Sequence, residues 1–157
     1  MNEKKYYEYI KKLENVKELH IMKEHFHHGT TTTYEHCKKV AYFSFIFAKK
    51  FKLKINYKNL VIAALLHDFF LYDWHEKNDG HDLHAFSHPQ TAYKNASKYF
   101  DLNLKEKNII ESHMWPLTLT KIPKSKEAFI VCFVDKYCAF METIKFENKI
   151  IFSNEEI

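Results

Sequence analysis

Leu60-Val61-Ile62-Ala63-Ala64-Leu65-Leu66-His67-Asp68 is the stretch that decides how this chain is read. Seven consecutive apolar residues read as a segment buried on every side, and they run straight into an imidazole and a carboxylate. An ionised carboxylate beside an apolar core is costly unless a cation or hydrogen bonds offset it. Whatever packs around this segment must therefore bring polar or charged partners to its end.

The flanking sequence reads as helix. Gly occurs twice and Pro three times in 157 residues, and so few turn formers disfavour a turn-rich β fold. Tyr6, Tyr9, Ile10, Leu13, Val16 and Leu19 predict a helix over 3–24. His25-Phe26-His27-His28-Gly29 ends it, and its histidines read as an exposed loop, with a lid or an adventitious metal patch as alternatives. Thr32 and Glu35 have capping-box spacing and start a second helix to about residue 51, with Val40, Phe43 and Phe47 on its apolar face. A third covers about 57–70. Pro89 suits the first turn of a fourth that ends near residue 100. The fifth spans about 104–114, before Pro116, and the sixth about 125–146, after Pro123. No segment alternates as a strand would. The expected fold is an all-α bundle of about six helices, one domain over 1–157 whose motif-bearing core is about 30–145.

Composition narrows the function classes. Hydrophobic residues make up 46% of the chain, enough for a core of its own. The formal charge is only +4, and all 24 basic residues are Lys, so the basic groups read as a solvated Lys/Glu surface and not as a nucleic-acid interface. Without Arg, phosphate contacts fall to Lys, His, hydroxyls or backbone N–H groups. Cys37, Cys132 and Cys138 are odd in number and lack CxxC spacing, which favours reduced thiols over a disulfide framework or zinc knot. No apolar run reaches the ~18 residues of a membrane span, and the opening residues lack an apolar leader core. A soluble, cytoplasmic protein with neither membrane nor nucleic acid as partner is expected.

Other candidate groups share the setting of His67 and Asp68. His36 precedes Val40, Phe43 and Phe47 by four, seven and eleven residues and so continues an inward helix face. Asp135 follows Val131 by four and precedes Cys138 by three, in mid-stripe, with no Lys at i±4. His113 follows Ile109 by four, and His88 opens the helix after the His/Asp-rich segment. A single His on an apolar face is most often a hydrogen-bonded core residue. A buried Asp, however, is rare unless paired, and these six groups together read as a metal site holding two ions.

The order His36, His67-Asp68, Asp135 resembles the HD-domain superfamily of metal-dependent phosphohydrolases, which is named for its H…HD…D pattern on a helical bundle. His88, in His88-Pro89-Gln90-Thr91-Ala92, and His113, in His113-Met114-Trp115-Pro116, extend the order to H…HD…H…H…D. That order is similar to the dinuclear branch, which includes the bacterial symmetrical dinucleoside tetraphosphate hydrolases and the HD-GYP cyclic dinucleotide phosphodiesterases. Phe69, Phe70 and Leu71 stand where HD-GYP proteins carry a Lys, and the GYP signature is missing. The resemblance implies one metal on His36, His67, Asp68 and Asp135, and a second on His88, His113 and a bridging oxygen of Asp68. It also implies cleavage of a phosphoester or phosphoanhydride in a small metabolite or nucleotide by a metal-activated hydroxide, with Asp68 at the centre. Four His and two Asp suit two divalent ions, Fe or Mn before Mg, Zn, Co or Ni. Diiron oxygenases of the superfamily share the ligand order, and a non-catalytic metal-binding sensor module is a third reading.

Further roles follow from position. His84, four residues before His88, reads as a proton donor or supporting group, or else as a surface His. Lys136, next to Asp135, reads as a phosphate contact or a solvated Lys. Asp73 is a candidate to orient a ligand His, and Trp74 and Trp115 to stack on a base or sugar, although a capping Asp and core aromatics are the commoner uses. Segments 72–87 and 115–124 are expected to shape the pocket. The oligomeric state is open.

Overall fold

The computed structural model describes residues 1–28, 31–69 and 84–143, and only the backbone of 26–28 and 84–86. Among these it places seven helices and one two-stranded hairpin. Helix α1 (Glu3–Glu14) is capped by Asn2, whose side chain accepts from Lys5 N–H, and it buries Tyr6, Ile10 and Leu13. The helix expected over 3–24 breaks at Asn15 and Val16, and α2 (Lys17–Ile21) starts again. The cause is angular drift. At 100° per residue, Leu19 would lie about 140° away from Tyr6 on an unbroken helix. The break turns Leu19 and Met22 into the core, where both are fully buried.

Strands β1 (Phe26–His28) and β2 (Thr31–Thr32) pair antiparallel, a hairpin that the absence of sequence alternation did not predict. The histidine segment is thus partly strand and not wholly loop. His25 lies just before it, its carbonyl taking Thr33 N–H at 2.8 Å. Helix α3 (Thr33–Lys50) starts from the expected capping box: Thr32 Oγ1 accepts Glu35 N–H, and Glu35 Oε2 accepts Thr32 N–H. Its buried face is His36, Val40, Ala41, Ser44, Phe45 and Ala48, so Phe43 and Phe47 fall at the margin and not at the centre.

Helix α4 (Tyr57–Leu66) is the hub. It is apolar on all sides, as a helix surrounded by others must be, and it packs against α1, α3, α5, α6 and α7. Helix α5 (His84–Tyr99) begins five residues before Pro89, so this proline lies in the second turn, where it removes one helical hydrogen bond. His88, Ala92 and Ala96 form its buried line at four-residue spacing. Helix α6 (Leu104–Ser112) has a second capping box, between Asn103 and Glu106. Helix α7 (Lys126–Thr143) lies against α3 and α6, with Ala128, Val131, Asp135, Cys138 and Glu142 along its inner side. No helix among the described residues is long and apolar enough to cross a membrane. Cys37, Cys132 and Cys138 are all free and buried.

Candidate metal centre

Two helices end the same way at the site. His67 follows the last residue of α4 and His113 the last residue of α6, both with helical backbone angles. In each, Nδ1 faces the carbonyl three residues back: His67 to Ala64 at 2.8 Å, His113 to Ile110 at 2.7 Å. A carbonyl only accepts, so each Nδ1 carries the hydrogen and each Nε2 is turned to the interior, where it can give its lone pair once it holds no proton. The apolar runs of α4 and α6 thus lead directly to two oriented donors.

Two groups of donor atoms form around them, one of His36, His67, Asp68 and Asp135 and the other of Asp68, His88 and His113. All six residues are buried. In the first group His36 Nε2 lies 3.1 Å from Asp135 Oδ1, and His67 Nε2 lies 3.3 Å from Asp68 Oδ2 and 3.4 Å from Asp135 Oδ1. In the second, His88 Nε2 and His113 Nε2 are 2.9 Å apart and each is 3.3 Å from Asp68 Oδ1. Asp68 therefore turns one oxygen to each group.

These distances fit a cation. Donors at about 2.0–2.2 Å from one ion stand roughly 3–4 Å from each other, the range found here. His67 Nε2, though close to two carboxylates, makes no hydrogen bond of good geometry among the described residues. The electrostatics agree. Burial by itself would lower the His36 pKa, but hydrogen bonds to Asp135 and Glu142 outweigh it and hold the imidazole up at about 10. Burial likewise opposes protonation of His67, and the Asp68 and Asp135 carboxylates raise it well above its ordinary value. Asp135 would be raised by burial, yet the two imidazoles keep it well below the usual carboxylate range. His113, where burial dominates, is lowered. The two carboxylates thus draw positive charge into the site, as protons on imidazole or as metal.

One residue of this site has no counterpart in the sequence reading. His36 Nδ1 is 2.8 Å from Glu142 Oε2, and Glu142 Oε1 accepts from Lys39 Nζ at 3.2 Å. A carboxylate behind a metal-ligating His fixes its ring and makes its other nitrogen a better donor. Burial would raise the Glu142 pKa, but His36 and Lys39 lower it. Glu142 follows Asp135 by seven residues on the same stripe of α7, and that spacing is the signal that could have found it.

The remaining candidates are placed differently. Lys136 Nζ donates to the carbonyls of His113 at 2.7 Å and Cys132 at 3.2 Å, so it braces the turn that carries His113. His84 is the first residue of α5, one turn ahead of His88. Trp115 packs edge-on against Phe129, with ring centroids 6.0 Å apart. Asp73 and Trp74 lie outside the described residues.

The family model described as HD domain matches residues 33–139, about two thirds of the chain, and the chain belongs to that family, whose members are generally metal-dependent phosphohydrolases. No significant match was found to a curated protein or to a solved structure.

Proposed function

We propose that this chain is a metal-dependent phosphohydrolase with a dinuclear centre, acting on a phosphoester or phosphoanhydride of a small metabolite or nucleotide. The observation that carries the reading is Asp68, whose Oδ2 faces the first donor group and whose Oδ1 faces the second. His36, His67, Asp68 and Asp135 would hold one ion, and His88, His113 and Asp68 the other. Two such ions supply an activated water and neutralise phosphoryl charge. The chain's own part is preorganisation. Carbonyls of Ala64 and Ile110 hold the His67 and His113 rings, and Glu142 holds that of His36. The Lys136 brace on His113 keeps the end of α6 in register with α7. A buried setting strengthens each of these interactions relative to water.

The test is metal analysis of anaerobically purified protein, followed by a panel of nucleotides and phosphoesters on the same sample. Two transition-metal ions per chain and phosphate release without oxygen are expected. Turnover that requires oxygen would overturn hydrolysis in favour of a diiron oxygenase. Full metal loading without turnover on any phosphoester would favour a sensor module.

A further inference from the structure

Helix α7 has a second face that carries none of the candidate metal ligands. Phe129, Phe133, Tyr137 and Phe140 are 49%, 62%, 44% and 63% exposed. Phe51, at the end of α3, is 57% exposed. Partly buried rings of α3 back some of them. Phe47 bridges Phe51 to Phe133, at centroid distances of 4.7 and 6.2 Å, and Phe43 meets Tyr137 edge-on at 6.2 Å. The exposed positions along α7 are Lys126, Phe129, Phe133, Lys136, Tyr137, Phe140 and Thr143, with no acidic residue among them.

Area and order both select the occupant. At about 200 Å² per aromatic side chain, the five exposed rings leave roughly 550 Å² of apolar surface, the upper end of what a monomer shows. A standard interface takes about 800 Å² from each partner, of which about 65% is apolar in homodimers, so roughly 520 Å². The stripe therefore matches one side of such an interface. It is also close to palindromic about a point between Val134 and Asp135: Phe129 mirrors Phe140, Phe133 mirrors Lys136, and Lys126 mirrors Thr143. A twofold axis at that level lays two α7 helices antiparallel with Phe129 against Phe140 and Phe133 against Lys136, while Tyr137, whose mirror position Cys132 is buried, and Phe51 lie at the edge of the pairing. No lysine then meets its own copy. Lys136, whose ammonium is already engaged by the His113 and Cys132 carbonyls, offers its methylene stem to Phe133 of the other copy. This self-complementarity is what an isologous interface requires.

We propose that the aromatic face of α7, extended by Phe51, is a self-pairing surface that joins two copies of this chain about a twofold axis near Val134. The test is sedimentation equilibrium of the full chain over a dilution series. Wild type should approach twice the 19.0 kDa chain mass. Phe133→Lys with Phe140→Lys should remain at the single-chain mass, because it sets lysine against Lys136, while circular dichroism stays unchanged. A wild-type monomer throughout the series would overturn the proposal, whether the face proved bare, covered by residues 144–157 or taken by another protein. So would a double variant that still dimerises. A second measurement reads the register. Mixed Phe129→Cys and Phe140→Cys proteins should crosslink to each other under mild oxidant more readily than either does to itself, and the reverse preference would reject the antiparallel pairing.

Discussion

Asp68 is the residue on which both donor groups depend, since its two oxygens are divided between them. Asp68→Ala is therefore expected to abolish turnover and to lose both ions, whereas His113→Ala should lower the metal content from two ions per chain towards one. Elemental analysis distinguishes the two outcomes, and full loading of Asp68→Ala would reject the shared carboxylate. Glu142 acts one bond further out, by holding His36 Nδ1. Glu142→Gln should weaken metal binding about 10–100-fold, in the range found when such supporting partners are removed. Glu142→Asp should recover part of it, and unchanged affinity in Glu142→Gln would leave the contact merely structural. Because the carboxylates hold His36 up at about 10 in the metal-free site, metal uptake at neutral pH should release protons. Titration calorimetry in buffers of different ionisation heat should show it, and heats independent of buffer would contradict it.

At the scale of elements, the helices are held in register by a few buried polar contacts. Glu127, in the first turn of α7, is almost fully buried; its Oε1 accepts from Asn56 N–H at 2.8 Å and Lys105 Nζ at 3.1 Å, so one carboxylate ties α7 to the starts of α4 and α6. Burial would raise its pKa, but these donors hold it below the ordinary value. A carboxylate lowered in the folded state contributes stability that is full above its unfolded pKa, about 4.3, and is lost as pH falls through the folded value. Glu127→Gln should thus cost about 1.5–3 kcal/mol at neutral pH, the scale of a charged hydrogen bond. The gap from wild type should narrow as the pH drops below about 4. Urea unfolding at neutral and acid pH would measure both, and a gap constant across that range would remove the charge from the explanation.

For the molecule as a whole, metal and fold are separable. The apolar faces of α1, α3, α4, α6 and α7 form one core without any ion, so chelation should leave the helical circular dichroism at room temperature nearly unchanged. The melting point should still fall. Binding to the folded state alone is worth ~4 kcal/mol at a thousandfold excess over Kd, or roughly 8–16 °C for a domain of this size. An unchanged midpoint after confirmed metal loss would mean that these His and Asp are ordinary core residues. Much of this molecule is legible along the chain. The all-apolar run before His67 marks a segment buried on every side, which the scarcity of Gly and Pro makes a helix, the Thr32–Glu35 and Pro123 boundaries are local chemistry, and His36, Asp68 and Asp135 stand out because a polar group on an apolar stripe needs a partner. The break after Glu14, the marginal position of Phe43 and Phe47, and the hairpin at Phe26–His28 depend on which neighbour a residue meets. So do Glu142 behind His36, at a separation of 106 residues, and Lys136 turned onto the His113 carbonyl. Spacing along one helix assigns a side chain to a face, but its partner across the core is set by how the helices pack, and contacts so distant in sequence leave no periodic trace in it.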